Sequence, residues 1–350
     1  MRPGRVATRR GVYGRRPELA DTYWQGRRVL VTGAGGFVGS WLTRALVDRH
    51  ADVTVILRDE AAQSNLHMWG SRPSINVVRG SISDYRLVER ALNEYEVDTC
   101  FHLAAQAIVG PANRSPLSTF ESNIRGTWTV LEACRACDSV ERVVLASSDK
   151  AYGAQTVLPY TEDTPLLGSA PYEVSKTCAD LLARSYRLGF GMSVAVARCA
   201  NIYGGGDFNF TRLVPGAIRS VLLGERPIIR SDGTPVRDYI FIDDAVAAYL
   251  ALGASEGASG AADYAFNFGS CEPVSVLELV RRIVQACGVH GLEPDVRGAG
   301  PGHNEIDRQY LDSTRAATVL GWEPRVPLDE GLRRTVSWYR QLLLEEGMAA

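Results

Sequence analysis

The sequence has little that would tie it to a membrane, a nucleic acid or an oxidising compartment. No uninterrupted apolar run approaches the roughly 18 residues of a spanning helix. Lys and Arg number 38 against 40 Asp and Glu, a net charge of −2, so no basic excess recruits nucleic acid or an anionic lipid surface. The seven cysteines are odd in number and irregularly spaced. They form no disulfide framework and fit a reducing cytoplasm. Cys134 and Cys137 make a C-x-x-C, but it falls in a helical pattern without a second pair, which reads as core or surface thiols rather than a metal or redox site. No metal site is expected. No internal repeat is present.

What the chain does have is a glycine turn around which the rest is organised. Arg27-Arg28-Val29-Leu30-Val31-Thr32 is an apolar strand running into Gly33-Ala34-Gly35-Gly36-Phe37-Val38-Gly39-Ser40 and then into helical spacing from Trp41 to Val47. Gly33 permits a turn closed to residues with a Cβ, Gly36 lets the backbone approach a pyrophosphate, and Gly39 lets helix and sheet pack closely. The helix N-terminus then offers uncompensated N–H groups and positive dipole to the phosphates. Strand, turn and helix in this order predict a dinucleotide site.

Further buried strands are predicted at Asp52–Leu57, Ile75–Val78, Thr99–Ala105, Val140–Ser148 and Ser193–Arg198. Helical spacing covers Asp84–Asn93 and Pro116–Cys137 between them. Buried strands alternating with helices define an α/β fold, a doubly wound parallel, Rossmann-like sheet. Residues 25–200 form the predicted dinucleotide-binding domain, with part of 237–270 returning to it. From Asn201 the texture changes: Gly204-Gly205-Gly206, then Pro215, Pro227 and Pro235, a helix near Val274–Cys287, an irregular stretch from Gly288 to Gly302, and a closing helix near Leu328–Leu344. Residues 201–350 are expected to be mainly a smaller, substrate-binding lobe. Residues 1–24, rich in Arg, Gly and Pro and followed by no apolar segment, read as a disordered basic tail.

At the end of the second strand, Arg58 suits a 2′-phosphate and Asp59 a ribose 2′-hydroxyl. NAD is the expected cofactor, with NADP the alternative that Arg58 raises. His102, inside the fourth strand, reads as a packed, hydrogen-bonded histidine.

Pro171-Tyr172-Glu173-Val174-Ser175-Lys176 opens a helix, with proline where its missing N–H is no loss. Tyr172 and Lys176, four apart, share a face. A phenol with a pKa of about 10 is a poor base at neutral pH. An ammonium about 4 Å away, at an effective dielectric near 20, contributes on the order of 4 kcal/mol, or about three pKa units. The helix N-terminus acts the same way, so Tyr172 is expected near the working pH of a general base. Ser148 at the end of a sheet strand completes the set.

Thr32-Gly33-Ala34-Gly35-Gly36-Phe37-Val38-Gly39 together with Ser148, Tyr172 and Lys176 resembles the extended short-chain dehydrogenase/reductases that act on nucleotide sugars, over nearly the whole chain from Arg27 to about Tyr339. The resemblance implies that Ser148 and Tyr172 engage the sugar 4-hydroxyl, that Tyr172 removes its proton while C4 gives hydride to the nicotinamide, and that Lys176 also holds the cofactor ribose. It implies a cofactor site built from Gly33, Gly36, Phe37, Val38, Gly39, Arg58, Ile82, Leu103, Ala104 and Ala105 with Tyr172 and Lys176. For the diphosphate sugar it points to Asn201, Arg212 and Arg237, with Arg308 a weaker candidate. Asp149 and Lys150 follow Ser148, and Ser-Asp-Lys is similar to the CDP-glucose 4,6-dehydratase branch. There an acid and a second ionisable group divide removal of the C5 proton and protonation of the departing 6-hydroxyl. Phe101-His102-Leu103-Ala104-Ala105-Gln106, Gly204-Gly205-Gly206-Asp207 with Arg212-Leu213-Val214-Pro215, and Leu311-Asp312 leading to Leu320-Gly321-Trp322 match the same branch. Two segments depart from it. Ser81 stands where an aspartate is common near the adenine, and Ala151-Tyr152-Gly153 is closer to the epimerases.

The expected activity is therefore a nucleotide-sugar 4,6-dehydratase. The alternatives are a nucleotide-sugar 4-epimerase using the same Ser, Tyr and Lys, and a non-catalytic dinucleotide-binding regulator. The resemblance also implies a homodimer, joined through the helix before the fifth strand and the Tyr172 helix.

Overall fold

The computed structural model of the protein describes residues 22–59, 65–68, 75–255, 264–298 and 306–345. Seven parallel strands make the central sheet: β1 (Arg28–Thr32), β2 (Asp52–Leu57), β3 (Ile75–Arg79), β4 (Thr99–His102), β5 (Arg142–Ala146), β6 (Val194–Cys199) and β7 (Ala265–Phe268), in the order β3-β2-β1-β4-β5-β6-β7. All six residues of β6 and all four of β4 and β7 are buried, as a strand covered by helices on both faces requires. One face packs on α1 (Phe37–Asp48) and α5 (Ile242–Ala254) through Leu42, Leu46, Ala245 and Leu252. The other packs on α2 (Tyr85–Glu94), α3 (Gly126–Ala136) and α4 (Pro171–Phe190) through Leu92, Val130, Leu131 and Ala183. The strand order reverses between β1 and β4. In such sheets the crevice outside the carboxyl ends at that reversal receives the ligand.

The strands observed at β4 and β5 are shorter than the sequence pattern, ending at His102 and Ala146. The predicted helix over Pro116–Cys137 is interrupted: Pro116–Phe120 is α-helical, Glu121–Arg125 is a π-turn, and α3 follows. The wider turn places Asn123 inward, 2% exposed. There its amide accepts from Gln106 N at 2.6 Å and donates to Gln106 O at 3.1 Å and to Ser175 Oγ at 2.9 Å.

Residues 1–21 of the predicted basic tail lie outside the described residues, but its end does not behave as a tail. Trp24 is fully buried, its ring 5.6 Å from that of Phe101. A large apolar ring gains more from packing on Phe101 and Gly253 in the core than from solvent. Cys134 and Cys137 are free and buried in the helix-packed core.

Beyond β6 the described residues build three small sheets. Asn201–Tyr203 pairs in parallel with Tyr239–Phe241. Val236–Arg237 lies between Val274–Ser275 and Arg308–Gln309. Within the predicted irregular stretch, Asp295–Val296 pairs with Ile228–Ile229. A C-terminal helix, Leu328–Glu345, closes this part, Tyr339 OH donating to Asp207 O at 2.7 Å. No helix among the described residues is long and apolar enough to cross a membrane.

Candidate active site

A cleft of about 1150 Å³ opens at the carboxyl ends of β1, β2, β4 and β5, with Asn201–Tyr203, Arg212–Pro215, Arg230 and Tyr239 on its far side. Every residue predicted for the cofactor lines it: Gly33, Gly36, Phe37, Val38, Gly39, Arg58, Ile82, Leu103, Ala104 and Ala105. So do Ser148, Asp149, Lys150, Tyr172 and Lys176, and of the substrate candidates Asn201 and Arg212.

The glycine turn has the shape a dinucleotide needs. Gly33 has φ +78°, and a Cβ there would lie 2.6 Å from Ala104 N. A Cβ on Gly39 would lie 2.2 Å from Gly33 O, so α1 starts in direct contact with the turn. Gly36 is the N-cap of α1, and no side chain caps the first turn. Its N–H groups and dipole are therefore available to a phosphate. The residues present fit a pyrophosphate-bearing dinucleotide. Arg58 and Asp59 at the end of β2 are exposed and pair with each other at 2.6 Å.

Behind the turn runs a buried polar chain. Ala104 N donates to Thr32 Oγ1 at 3.2 Å, and Thr32 Oγ1 lies 2.8 Å from His102 Nδ1. His102 Nε2 lies 3.1 Å from Thr127 Oγ1, which donates to Asn123 O at 2.6 Å. Because the Thr127 hydroxyl spends its proton on a carbonyl, it accepts from Nε2–H, and Nδ1 accepts from Thr32. Burial, with the Lys176 charge adding to it, pushes the imidazole pKa down to about 3. His102 is thus a neutral bridge between β1, β4 and α3, the packed histidine of the sequence reading.

The catalytic candidates converge from β5 and α4. Ser148, two residues past β5, donates to Asp149 Oδ1 at 2.9 Å and accepts from Lys150 N at 3.2 Å. Asp149 is 2% exposed, and its Oδ2 is buried without a hydrogen-bond partner. Such an atom is expensive unless a ligand group completes it. Glu173 Oε2 accepts from Ala170 N at 3.2 Å and Ser169 N at 2.9 Å, fixing the start of α4. Lys176 is 6% exposed and donates to Ala146 O at 2.7 Å. Burial brings its pKa down to about 8.

One expectation is overturned here. Tyr172 was expected near neutral pH through Lys176. Instead burial raises the phenol to about 12, and the Asp149 charge adds to the rise. The cation that lowers it most is Arg212, with the Ser148 hydroxyl assisting. The Lys176 ammonium is turned to the carbonyl of Ala146, whereas Arg212 arrives at the mouth of the cleft, held by buried Asp207 at 3.0 Å. Helical spacing alone revealed the first pair and nothing of the second.

Arg237 and Arg308 stand outside the lining of the cleft. Arg237 is 7% exposed and donates to Val236 O at 2.9 Å and Asp307 O at 3.1 Å. Arg308 lies 6.0 Å over the Tyr310 ring. Their strands nevertheless bring Gln309, fully buried, against Asp149 and Lys150. Gln309 and Arg230 were missed because neither belongs to a motif, and both reach the site only through the small sheets. Beneath the pair, Tyr152 OH accepts from buried Arg198 at 2.9 Å and donates to Asn267 Oδ1 at 2.7 Å. Arg198 in turn holds Asp180 of α4 with two bonds of 2.8 and 2.9 Å. Among the described residues no three His, Cys, Asp or Glu cluster as a metal site would require.

A family model described as GDP-mannose 4,6 dehydratase matches residues 30–335. The chain belongs to that family, within the extended short-chain dehydrogenase/reductases. A CDP-glucose 4,6-dehydratase of Salmonella typhimurium is 30% identical, the match covering 94% of this chain and 95% of the relative. A UDP-glucose 4-epimerase of Mycolicibacterium smegmatis is 32% identical, with 89% and 98% covered. Among solved structures, a dTDP-glucose 4,6-dehydratase from Streptomyces venezuelae with NAD bound superposes with a TM-score of 0.80 at 29% identity, covering 92% of this chain and 99% of that one.

Proposed function

We propose that this protein is a nucleotide-hexose 4,6-dehydratase, acting on a CDP-glucose-like substrate with NAD held tightly and recycled in each turnover. The observation that carries this reading is the pair Asp149–Lys150 directly after Ser148 in the cleft, with one buried carboxylate oxygen of Asp149 awaiting a partner. Simple C4 oxidation and return needs only Ser148, Tyr172 and Lys176. A second acid–base pair has work only if another bond breaks.

The roles follow from the chemistry. Ser148 and Tyr172 hold the 4-hydroxyl, and Tyr172 takes its proton as C4 becomes a ketone. With the phenol at about 12 in the protein alone, this step requires the charge of Arg212, and that of an oxidised nicotinamide when bound, to stabilise the phenolate. Held through its pyrophosphate at the glycine turn, the dinucleotide would supply the hydride acceptor and, later, the hydride donor. The ketone acidifies the C5 hydrogen. One of Asp149 and Lys150 removes that proton and the other gives a proton to the departing 6-hydroxyl, so water leaves and a C5–C6 double bond forms. Hydride arriving at C6 and a proton at C5 complete the 4-keto-6-deoxyhexose. Asn201, Arg212 and Arg230 are proposed for the diphosphate, Arg212 with the planar fork suited to paired oxygens. Arg237 and Arg308 would join them only after a shift of their small strands. The proposed division of labour leaves residues 25–200, with the α5–β7 return, to the dinucleotide, and most of 201–350 to the sugar nucleotide.

A 4-epimerase is the second reading, favoured by Tyr152 in the Ala151-Tyr152-Gly153 segment and by the epimerase relative. Incubation with CDP-, dTDP-, GDP- and UDP-hexoses followed by mass spectrometry separates the two. Loss of one water supports the dehydratase; an isomer of unchanged mass establishes the epimerase instead. Exposed Leu117 on the helix Pro116–Phe120, Trp128 on α3, and Leu181 and Leu188 on α4 support a homodimer through these helices.

A further inference from the structure

Gln309 is a glutamine with no exposure at all, set on a two-residue strand some 160 positions from the residues it touches. That strand is fixed on both sides. Gln309 pairs with Arg237 in parallel register, Val236 N donates to Asp307 O at 2.8 Å, and Tyr160 N donates to Tyr310 O at 2.9 Å. From this seat its amide nitrogen donates to the main-chain oxygen of Asp149 at 2.9 Å, and its amide oxygen accepts from the Lys150 ammonium. The orientation of the amide is forced, since a carbonyl only accepts and an ammonium only donates. Of the side chains of this length, a carboxylate would lack the donor and a thioether would lack both groups.

We propose that Gln309 is the positioning residue of the elimination step: it holds the Lys150 ammonium at a fixed place relative to Asp149. The inference rests on the dehydratase reading for its catalytic consequence. Four rotatable bonds let a lysine ammonium range over several ångströms, and acid–base catalysis needs its groups placed to well within one, so an anchor on a fixed strand has consequences for the step. Hydride transfer at C4 does not depend on this contact, because Lys176 is held by Ala146 and Tyr172 faces Ser148 and Arg212. Gln309 therefore acts on one half of the reaction and leaves the other alone.

The test compares Gln309→Met and Gln309→Glu with the parent holoenzyme. Rapid mixing with the nucleotide hexose that the parent dehydrates follows the absorbance of the reduced nicotinamide, and mass spectrometry follows loss of water. With Gln309→Met, reduced cofactor should form within about twofold of the parent rate while dehydration slows on the order of 10- to 100-fold. The reduced form then accumulates to a higher plateau. Unchanged dehydration, or a parallel loss of both steps, overturns the proposal. Acetylation of Lys150 by acetic anhydride, read by peptide mass spectrometry, tests the clamp without turnover. It should run several-fold faster in Gln309→Met, and equal rates overturn the proposal. If the parent itself forms no reduced cofactor with any nucleotide hexose, the dehydratase reading falls and the acetylation result alone decides the clamp. Should Gln309→Met not fold, Gln309→Glu serves: it keeps an acceptor for Lys150 and loses the donor to Asp149. Parent-like acetylation with slowed dehydration supports the proposal, and parent-like dehydration overturns it.

Discussion

Lys176 carries its charge almost wholly out of water, with the carbonyl of Ala146 as its hydrogen-bond acceptor. Its folded-state pKa of about 8 lies below the ordinary 10.5, so the unfolded chain binds that proton more tightly. The penalty is full below about pH 8 and fades as pH rises toward 10.5, and it amounts to about 3 kcal/mol at neutral pH. Lys176→Met should therefore raise the melting temperature at pH 7 by roughly 2 to 5 °C while abolishing turnover. The gap should narrow by pH 10, as calorimetry across pH would show. A variant less stable than the parent at pH 7 would mean that the ammonium is better solvated than its burial indicates. Asp149→Asn should keep C4 oxidation, seen as reduced cofactor, and lose dehydration by about 10²-fold or more; turnover at the parent rate would remove Asp149 from the mechanism. At this scale the sequence showed which residues meet in the cleft and little of their electrostatics. Tyr172 and Lys176 were legible from their spacing, but the influence of the Arg212 charge on Tyr172 depends on Asp207, which holds that guanidinium from the chain beyond β6.

Two elements meet in the glycine turn, and its tolerance is graded by what each missing Cβ would strike. Gly39→Ala places a methyl 2.2 Å from Gly33 O, whereas Gly35→Ala meets nothing nearer than Leu57 Cδ2 at 3.5 Å. Gly39→Ala should lower stability by more than about 3 kcal/mol in denaturant unfolding and Gly35→Ala by less than about 1. The neutral His102 bridge makes the same layer acid-sensitive. With a folded-state pKa of about 3 against an ordinary 6.5, its contribution is complete above about pH 6.5. It is lost progressively as pH falls toward 3, by several kcal/mol in all. His102→Leu should be less stable at pH 7 for want of two hydrogen bonds, yet show a flatter loss between pH 6.5 and 4. Parallel acid-unfolding curves would contradict the neutral bridge. The strands and helices of this half were readable because burial on both faces writes itself into continuous apolar runs. The π-turn at Glu121–Arg125 was not, because it answers to Gln106 and Ser175, partners that only the folded chain brings to Asn123.

Over the whole molecule, the doubly wound sheet followed from the alternation of strands and helices, and the seventh strand, Ala265–Phe268, completes it beside β6. The small sheets around Arg237 and Gln309 were illegible for a physical reason: two-residue strands carry no periodicity, and their register is set by neighbours. Leu181 and Leu188, seven apart on α4, are 47% and 54% exposed, and Trp128 on α3 is 45% exposed. These side chains are the ones that the proposed helix-mediated dimer would bury. Leu181→Asp combined with Trp128→Asp should convert a dimer to a monomer in sedimentation equilibrium, and an unchanged mass would place the interface elsewhere. The proposed roles, the cofactor as a hydride store and the Asp149–Lys150 pair as the determinant of the outcome, can be read from the fate of one hydrogen. A nucleotide hexose deuterated at C4 should yield a product that has lost one water and carries the deuterium at C6. Deuterium returned to C4 of an isomer with unchanged mass would show that the enzyme epimerises its substrate and eliminates no water.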